Sequence, residues 1–162
     1  MTLDPQIQYF KDDVERFWGM MEQQIEVCPD ALWNKKAGGF VFWQQILHSV
    51  GCAEIYALED PEPPLSVMSE YSTDVVMLNK EPDTKVSKTK LREVSDRVKK
   101  LVLTFLDGLT PQSISGQHER MTRRMGRLQT RQHAAQALIR HCGYHLGGCD
   151  AALREHGVKG VY

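Results

Sequence analysis

Near its C-terminal end the chain reads Arg140-His141-Cys142-Gly143-Tyr144-His145-Leu146-Gly147-Gly148-Cys149. The periodicity of the surrounding residues predicts a helix here, and residues four apart lie on the same face of a helix, one turn from each other. Two imidazoles so placed can hold one metal ion, as the paired histidines of the HExxH motif do. No glutamate follows His141, so the zinc-protease motif is absent. A third ligand must come from another segment, and His48 is the best candidate.

The predicted inner face of this helix carries both histidines together with small and apolar residues, namely Ala134, Leu138, Cys149 and Ala152. Buried imidazoles need hydrogen-bond partners or a metal. The two histidines are therefore either metal ligands or hydrogen-bonded core residues, and the pattern alone leaves both alternatives open. His48 lies on the shoulder of its own predicted helix, where the alternative to a ligand is a half-buried histidine bonded to a neighbouring side chain.

The apolar periodicity of the whole chain predicts four long amphipathic helices. They cover about residues 5–28, 40–58, 87–107 and 130–156, and Asp4 followed by Pro5 is a typical helix start. Residues 65–84 form a long connection, in which the spacing of the apolar residues indicates a short helix. A crossover that runs the length of a helical bundle explains a connection of this length.

Two further features have alternative interpretations. Five arginines stand in a poorly patterned connector: Arg120, Arg123, Arg124, Arg127 and Arg131. They could bind a carboxylate or phosphate, but a solvated and partly mobile linker is favoured because loops lie at the surface.

Cys52 follows His48 by four residues, and Cys149 follows His145 by four. Buried small hydrophobic residues explain both cysteines, and a closed four-ligand metal site is the alternative.

The composition of the chain argues against some classes of binding partner. A chain of 162 residues fits one domain, and its formal net charge of −1 argues against nucleic acid as the main partner, because nucleic-acid-binding domains are basic. No apolar run approaches the ~18 residues of a membrane span, and residues 1–5 lack the features of a signal peptide. The four cysteines contain no CxxC motif and fit reduced thiols. We therefore expect a cytoplasmic protein with a small-molecule substrate and with neither nucleic acid nor membrane as partner.

Three segments resemble the DinB/YfiT-like superfamily: Trp43-Gln44-Gln45-Ile46-Leu47-His48-Ser49-Val50, His141-Cys142-Gly143-Tyr144-His145-Leu146-Gly147 and Leu153-Arg154-Glu155-His156-Gly157. The resemblance extends over essentially the whole chain. It implies one DinB-like domain over residues 1–162, all-α, folded as an up-down-down-up four-helix bundle with a long crossover between the second and third helices. It also implies a divalent metal held by His48, His141 and His145, with zinc and nickel both suited to histidine ligands.

The resemblance also bears on function. Characterised members of the superfamily include thiol-dependent enzymes, such as mycothiol-dependent maleylpyruvate isomerase and bacillithiol S-transferases. By this resemblance the chain is a metal-dependent thiol S-transferase or a hydrolase-type enzyme, with open coordination positions and a low-molecular-weight thiol as cofactor. The alternative is a non-catalytic, stress-related protein, dimeric or metal-sensing, in which the metal only holds two helices together. Relatives are often dimers, so a homodimer is expected.

Overall fold

The computed structural model describes residues 4–162, which are mostly helical. Residues 1–3, on which the expected lack of a signal peptide partly rests, lie outside this range. The helices are α1 (Pro5–Val27), α2 (Asp30–Trp33), α3 (Phe42–Ala57), α4 (Ser66–Tyr71), α5 (Thr73–Val76), α6 (Lys88–Asp107), α7 (Glu119–Met125) and α8 (Arg131–Glu155). Two short strands, β1 (Lys36–Ala37) and β2 (Phe40–Val41), pair antiparallel. The all-α prediction is therefore confirmed, with this ribbon as an addition.

The four long predicted helices are present as α1, α3, α6 and α8. The carboxylate of Asp4 accepts hydrogen bonds from the amides of Gln6 and Ile7, as expected for the start of α1. α3 begins two residues later than expected, because Phe40 and Val41 pair with β1. The connection after α3 holds two short helices, α4 and α5, where one was expected. Within residues 4–162, no helix has the length and apolar character needed to cross a membrane.

The long helices share one core. α1 and α3 each pack against both α6 and α8. The side chain of Trp18 in α1 is 1% exposed, and its indole N–H donates to the hydroxyl of Ser95 in α6 at 2.9 Å. The indole N–H of Trp33 donates to the carbonyl of Val86 at 2.6 Å, which fixes α2 against the residues that precede α6. A buried indole N–H needs a hydrogen-bond acceptor. Both tryptophans therefore fill space in the core and also fix the position of the segments that they join.

α3 is buried along almost its whole length, since Tyr56 alone among its residues is half-buried. The alternative in which His48 is only half-buried is therefore wrong, because this residue is 7% exposed. The physical reason is that α4, α5 and α7 also pack against α3 and cover the side that α6 and α8 leave free. The site residues of α3 thus lie in a low-dielectric environment.

The arginine-rich segment is not a plain solvated linker, which corrects the favoured interpretation. It contains α7, whose Met121 is buried, and His118 at its N-terminus is fully buried. The guanidinium of Arg120 is half-buried and donates to backbone carbonyls between residues 58 and 63. The apolar pattern is weak here because α7 is only seven residues long.

Gly51 allows α5 to approach α3 closely. A Cβ built at this position overlaps Cγ1 of Val76 and lies 3.4 Å from Cγ1 of Val67. Both valines are fully buried, so neither can move into solvent. The close approach brings the carbonyl of Val76 to His48, which lies about one turn before Gly51 on α3.

Replacing Gly51 by alanine is expected to lower the free energy of unfolding by about 1–3 kcal/mol, because the added methyl group overpacks a rigid contact. Gly19→Ala is the matched control, since Gly19 lies inside α1 and nothing lies within 4 Å of a Cβ built there. The control should gain about 0.5–1 kcal/mol from the better helix former. Urea denaturation measures both changes, and a stabilised Gly51→Ala protein would contradict the close approach.

Candidate metal centre

Three histidine rings form a cluster between α3 and α8. The ring centroid of His48 lies 4.9 Å from that of His141 and 4.5 Å from that of His145. The two rings on α8 are 4.7 Å apart, as expected for positions one helical turn from each other. The structure therefore brings the three predicted rings together. Among the described residues, however, the ligand atoms that lie close enough together to hold one metal are those of His48, Cys52 and His141, and His145 is not in that group.

The ring nitrogens of two histidines face each other. Nε2 of His141 lies 3.0 Å from Nε2 of His48, while Nδ1 of His48 lies 2.8 Å from the carbonyl oxygen of Val76. A carbonyl can only accept, so Nδ1 of His48 carries the proton and its Nε2 presents a lone pair. Two nitrogens each about 2.1 Å from one metal ion, at a right angle, are roughly 3 Å apart. The observed separation is that of an N–H···N hydrogen bond donated by His141, and it is also close to the spacing of two nitrogens on one metal ion. A metal-ligating histidine commonly donates its other N–H to a carbonyl, as His48 does.

All three imidazoles are held in the neutral form. Burial first and the neighbouring imidazoles second lower the pKa of His141 to about 4 and that of His145 to about 3, and the charge of Arg140 also contributes at His141. Burial also lowers the pKa of His48, although its hydrogen bond to Val76 opposes this effect. Neutral imidazole is the form that binds metals, so these nitrogens need not release a proton at neutral pH before they bind.

Cys52 belongs to the same cluster. Its Sγ lies 3.8 Å from both ring nitrogens of His48, and the ligand atoms of His48, Cys52 and His141 all lie within 4.8 Å of one another. Burial raises the pKa of the Cys52 thiol to about 12, so without a metal it is a neutral thiol. The spacing of four residues was visible in the sequence, but a buried small hydrophobic residue was the favoured interpretation and a metal ligand only the alternative.

A cleft leads to this cluster from outside. It has a volume of about 280 Å³ and is lined by Gly38, Phe40, Gln45, Tyr144, His145 and Gly148. Tyr144 is 77% exposed, and Phe40 is exposed as well. The amide of Gln45 donates to the carbonyl of Ala37 at 2.8 Å, which ties α3 to the β1–β2 turn at the wall of the cleft. A small molecule therefore has a route to His145.

Two contacts of the cluster had no clear signal in the sequence. The ring of Tyr56 lies 5.9 Å from that of His141, and this tyrosine could have been found by extending the face of His48 and Cys52 by one more turn. No sequence pattern identifies the carbonyl of Val76 as a partner of His48, because every residue has a backbone carbonyl. Its contact with His48 depends on how α5 packs.

Comparisons with protein-family models, with curated proteins and with solved structures found no match for this chain. The geometry of the site therefore carries the functional proposal. What this geometry offers is three neutral imidazoles, one thiol, two facing ring nitrogens and an open cleft.

Proposed function

We propose that the chain is a DinB/YfiT-like protein whose single domain, residues 1–162, is an up-down-down-up four-helix bundle. In this arrangement α1 and α8 run in one direction, and α3 and α6 run in the other. A parallel α1–α8 pair is supported by Phe17, which lies beside Gly143, and by Gln24, whose amide donates to the carbonyl of Leu146. A parallel α3–α6 pair then needs the long crossover that contains α4 and α5.

Contacts between the helices also support the two antiparallel pairs, α1 with α6 and α3 with α8. As the residue number rises along one helix of a pair, the number of the residue that it contacts on the other helix falls. Four contacts run in this sense: Lys11 with Asp107 and Glu22 with Lys99 between α1 and α6, and His48 with His145 and Tyr56 with His141 between α3 and α8.

A homodimer and a cytoplasmic location belong to the same proposal. Four buried free cysteines fit the reducing conditions of the cytoplasm.

The proposed site holds a divalent metal, zinc or nickel, on His48, His141 and His145. The observation that carries the proposal is the 3.0 Å separation between Nε2 of His48 and Nε2 of His141, with the other nitrogen of His48 held by Val76. His145 is the third ligand of this proposal, because its ring centroid lies 4.5 Å from that of His48 and its neutral ring lines the cleft. A donor set of imidazoles suits both metals.

The function that this geometry supports best is that of a metal-dependent thiol S-transferase. A divalent metal on neutral ligands supplies Lewis acidity and stabilises a thiolate at neutral pH. The residues of the chain hold the imidazoles neutral, fix the orientation of His48 and leave a cleft open beside His145. In the transfer the thiol loses its proton to solvent, its sulfur bonds to an electrophilic carbon, and the bond from that carbon to the leaving group breaks, so that the leaving group departs with the electron pair of that bond.

A specific observation favours a second candidate, a non-catalytic or metal-sensing protein. Cys52 lies close enough to His48 and His141 to serve as a ligand. A thiolate from Cys52 added to three imidazoles would fill a tetrahedral site, and closed sites of this kind are structural. The two candidates therefore differ in whether sulfur from the chain or sulfur from a small thiol reaches the metal.

Cobalt substitution separates the two candidates. In the cobalt-loaded protein we expect no sulfur-to-cobalt charge-transfer band until 2-mercaptoethanol is added, because the proposed ligands are all nitrogens. The Cys52→Ser variant should show the same behaviour, since this thiol is outside the proposed ligand set. A band that is present without added thiol and is lost in Cys52→Ser would establish the closed site instead.

A further inference from the structure

The lining of the cleft beside the histidine cluster suits a neutral ligand. Its six residues come from the β1–β2 hairpin, from α3 and from α8: Gly38, Phe40, Gln45, Tyr144, His145 and Gly148. None of the six is an acidic residue, a lysine or an arginine. The lining therefore offers no side chain that would form an ion pair with a charged ligand.

Two aromatic side chains of the cleft leave ring surface in contact with water. Tyr144 is 77% exposed, and Phe40 is 36% exposed. The ring of Tyr144 stands edge-on to that of His145, with the two centroids 5.0 Å apart, so the aromatic surface extends to the histidine cluster. An aromatic ring of a ligand would cover this surface in an offset-stacked or edge-on arrangement.

Gln45 presents a hydrogen-bond acceptor to the cleft. This residue is only 5% exposed, and its Nε2 donates to the carbonyl of Ala37 at 2.8 Å. A carbonyl accepts only from the NH₂ end of the amide, so this bond fixes the position of Oε1 as well. Within residues 4–162, no donor forms a hydrogen bond with Oε1 of Gln45. Buried polar atoms usually have a partner, so this oxygen can accept from an N–H or O–H group of a ligand.

Gly148 leaves room for a ligand next to this oxygen. A Cβ built at Gly148 lies 3.4 Å from Oε1 of Gln45, and no other atom lies within 4 Å of it. Any larger side chain here would therefore stand over the amide of Gln45 and occupy the cleft. The cleft has a volume of about 280 Å³. An apolar cavity of about 150 Å³ holds benzene, so there is space for one ring with a short polar substituent.

We propose that the cleft binds neutral compounds that carry one aromatic ring and an N–H donor, such as an aromatic primary carboxamide. The ring lies against Phe40 and Tyr144, and the N–H donates to Oε1 of Gln45. Such a ligand lies beside His145 and is the second substrate, the electrophile, of the proposed transferase. This role rests on the proposed function, whereas the binding itself needs no metal.

The test is a titration of the full chain with 4-fluorobenzamide, followed by fluorine NMR. The matched probe is 4-fluoroacetophenone, in which a methyl group replaces the NH₂ group of the amide at nearly the same size. We expect the amide to bind more tightly than the ketone. In Gln45→Met the ratio of the two affinities should fall about fivefold, because the acceptor is lost.

Exposed positions provide variants that do not disturb the core. Gly148→Leu should abolish the binding of both probes, since the new side chain fills the cleft. Gly147→Leu is its matched control, because Gly147 is exposed and nothing lies within 4 Å of a Cβ built there. Tyr144→Ala should weaken both probes about fivefold, and Tyr9→Ala on α1 should leave them unchanged. Circular dichroism of each variant checks that the helices are intact.

The outcomes separate this inference from the proposed function. Binding that persists in Gly148→Leu, or an affinity ratio that is the same in Gln45→Met as in the wild type, overturns the inference. Binding that is lost when EDTA removes metal also overturns it, because the carbonyl oxygen of the probe would then bind the metal. A chain that takes up zinc but does not bind the amide overturns this inference alone. A chain that binds the amide as expected but takes up no divalent metal overturns the transferase and supports the binding site.

Discussion

In the His141→Ala variant, we expect the affinity for zinc to fall by more than about 100-fold. This loss exceeds the usual effect of replacing a residue that only orients a metal ligand through a hydrogen bond. The substitution removes the nitrogen that faces Nε2 of His48 at 3.0 Å. His48→Ala should have an effect of the same size, because it removes the other half of that pair. Competition with a chromophoric chelator at pH 7.5 measures both affinities.

His156→Ala is the matched control for these variants. His156 follows the last residue of α8 and is exposed, and its Nδ1 lies against the carbonyl of Ala152, well away from the cluster in sequence. Its replacement should leave the zinc affinity unchanged within about twofold, since no proposed ligand is touched. A His141→Ala protein with the affinity of this control would mean that the facing nitrogens share a hydrogen bond and no metal.

Trp18→Ala is expected to lower the free energy of unfolding by about 3–5 kcal/mol. The change empties the space of a fully buried indole between α1 and α6. It also leaves the hydroxyl of Ser95, which is fully buried, without the donor that the indole N–H provides. Urea denaturation followed by circular dichroism gives the change, with the slope of the transition as a check on two-state behaviour.

Tyr9→Ala provides the comparison on the same helix. Tyr9 is 67% exposed, so its loss should change the free energy of unfolding by no more than about 0.5 kcal/mol. If Trp18→Ala cost less than about 1 kcal/mol, the indole would not be part of a packed core. The contrast between the two aromatic residues therefore tests the orientation of α1 as well as its burial.

The long helices could be predicted because their signals are local. The cap at Asp4 and the apolar repeat of α1 are encoded within the helix itself, and the face shared by His141 and His145 follows from their spacing. The full burial of His48 could not be predicted. It depends on α5 packing against α3 at Gly51, a contact between segments about 25 residues apart in the chain.

The arginines show the same limit. Arg123, Arg124 and Arg131 look alike in the sequence, and all three lie in one poorly patterned segment. Their roles differ because Glu62 and Glu59, which lie just after α3, pair with Arg123 and Arg131, and in the described residues no acid pairs with Arg124. Only the tertiary structure separates a structural guanidinium from one whose charge is available.

The metal content of the protein, purified without an affinity tag and dialysed against zinc or nickel, tests the three-histidine site most directly. We expect about one divalent ion per chain in the wild type and in Cys52→Ser, and far less in His145→Ala. The reverse order, with metal retained in His145→Ala and lost in Cys52→Ser, would replace His145 by Cys52 in the ligand set. A wild-type protein without bound metal would contradict the site altogether.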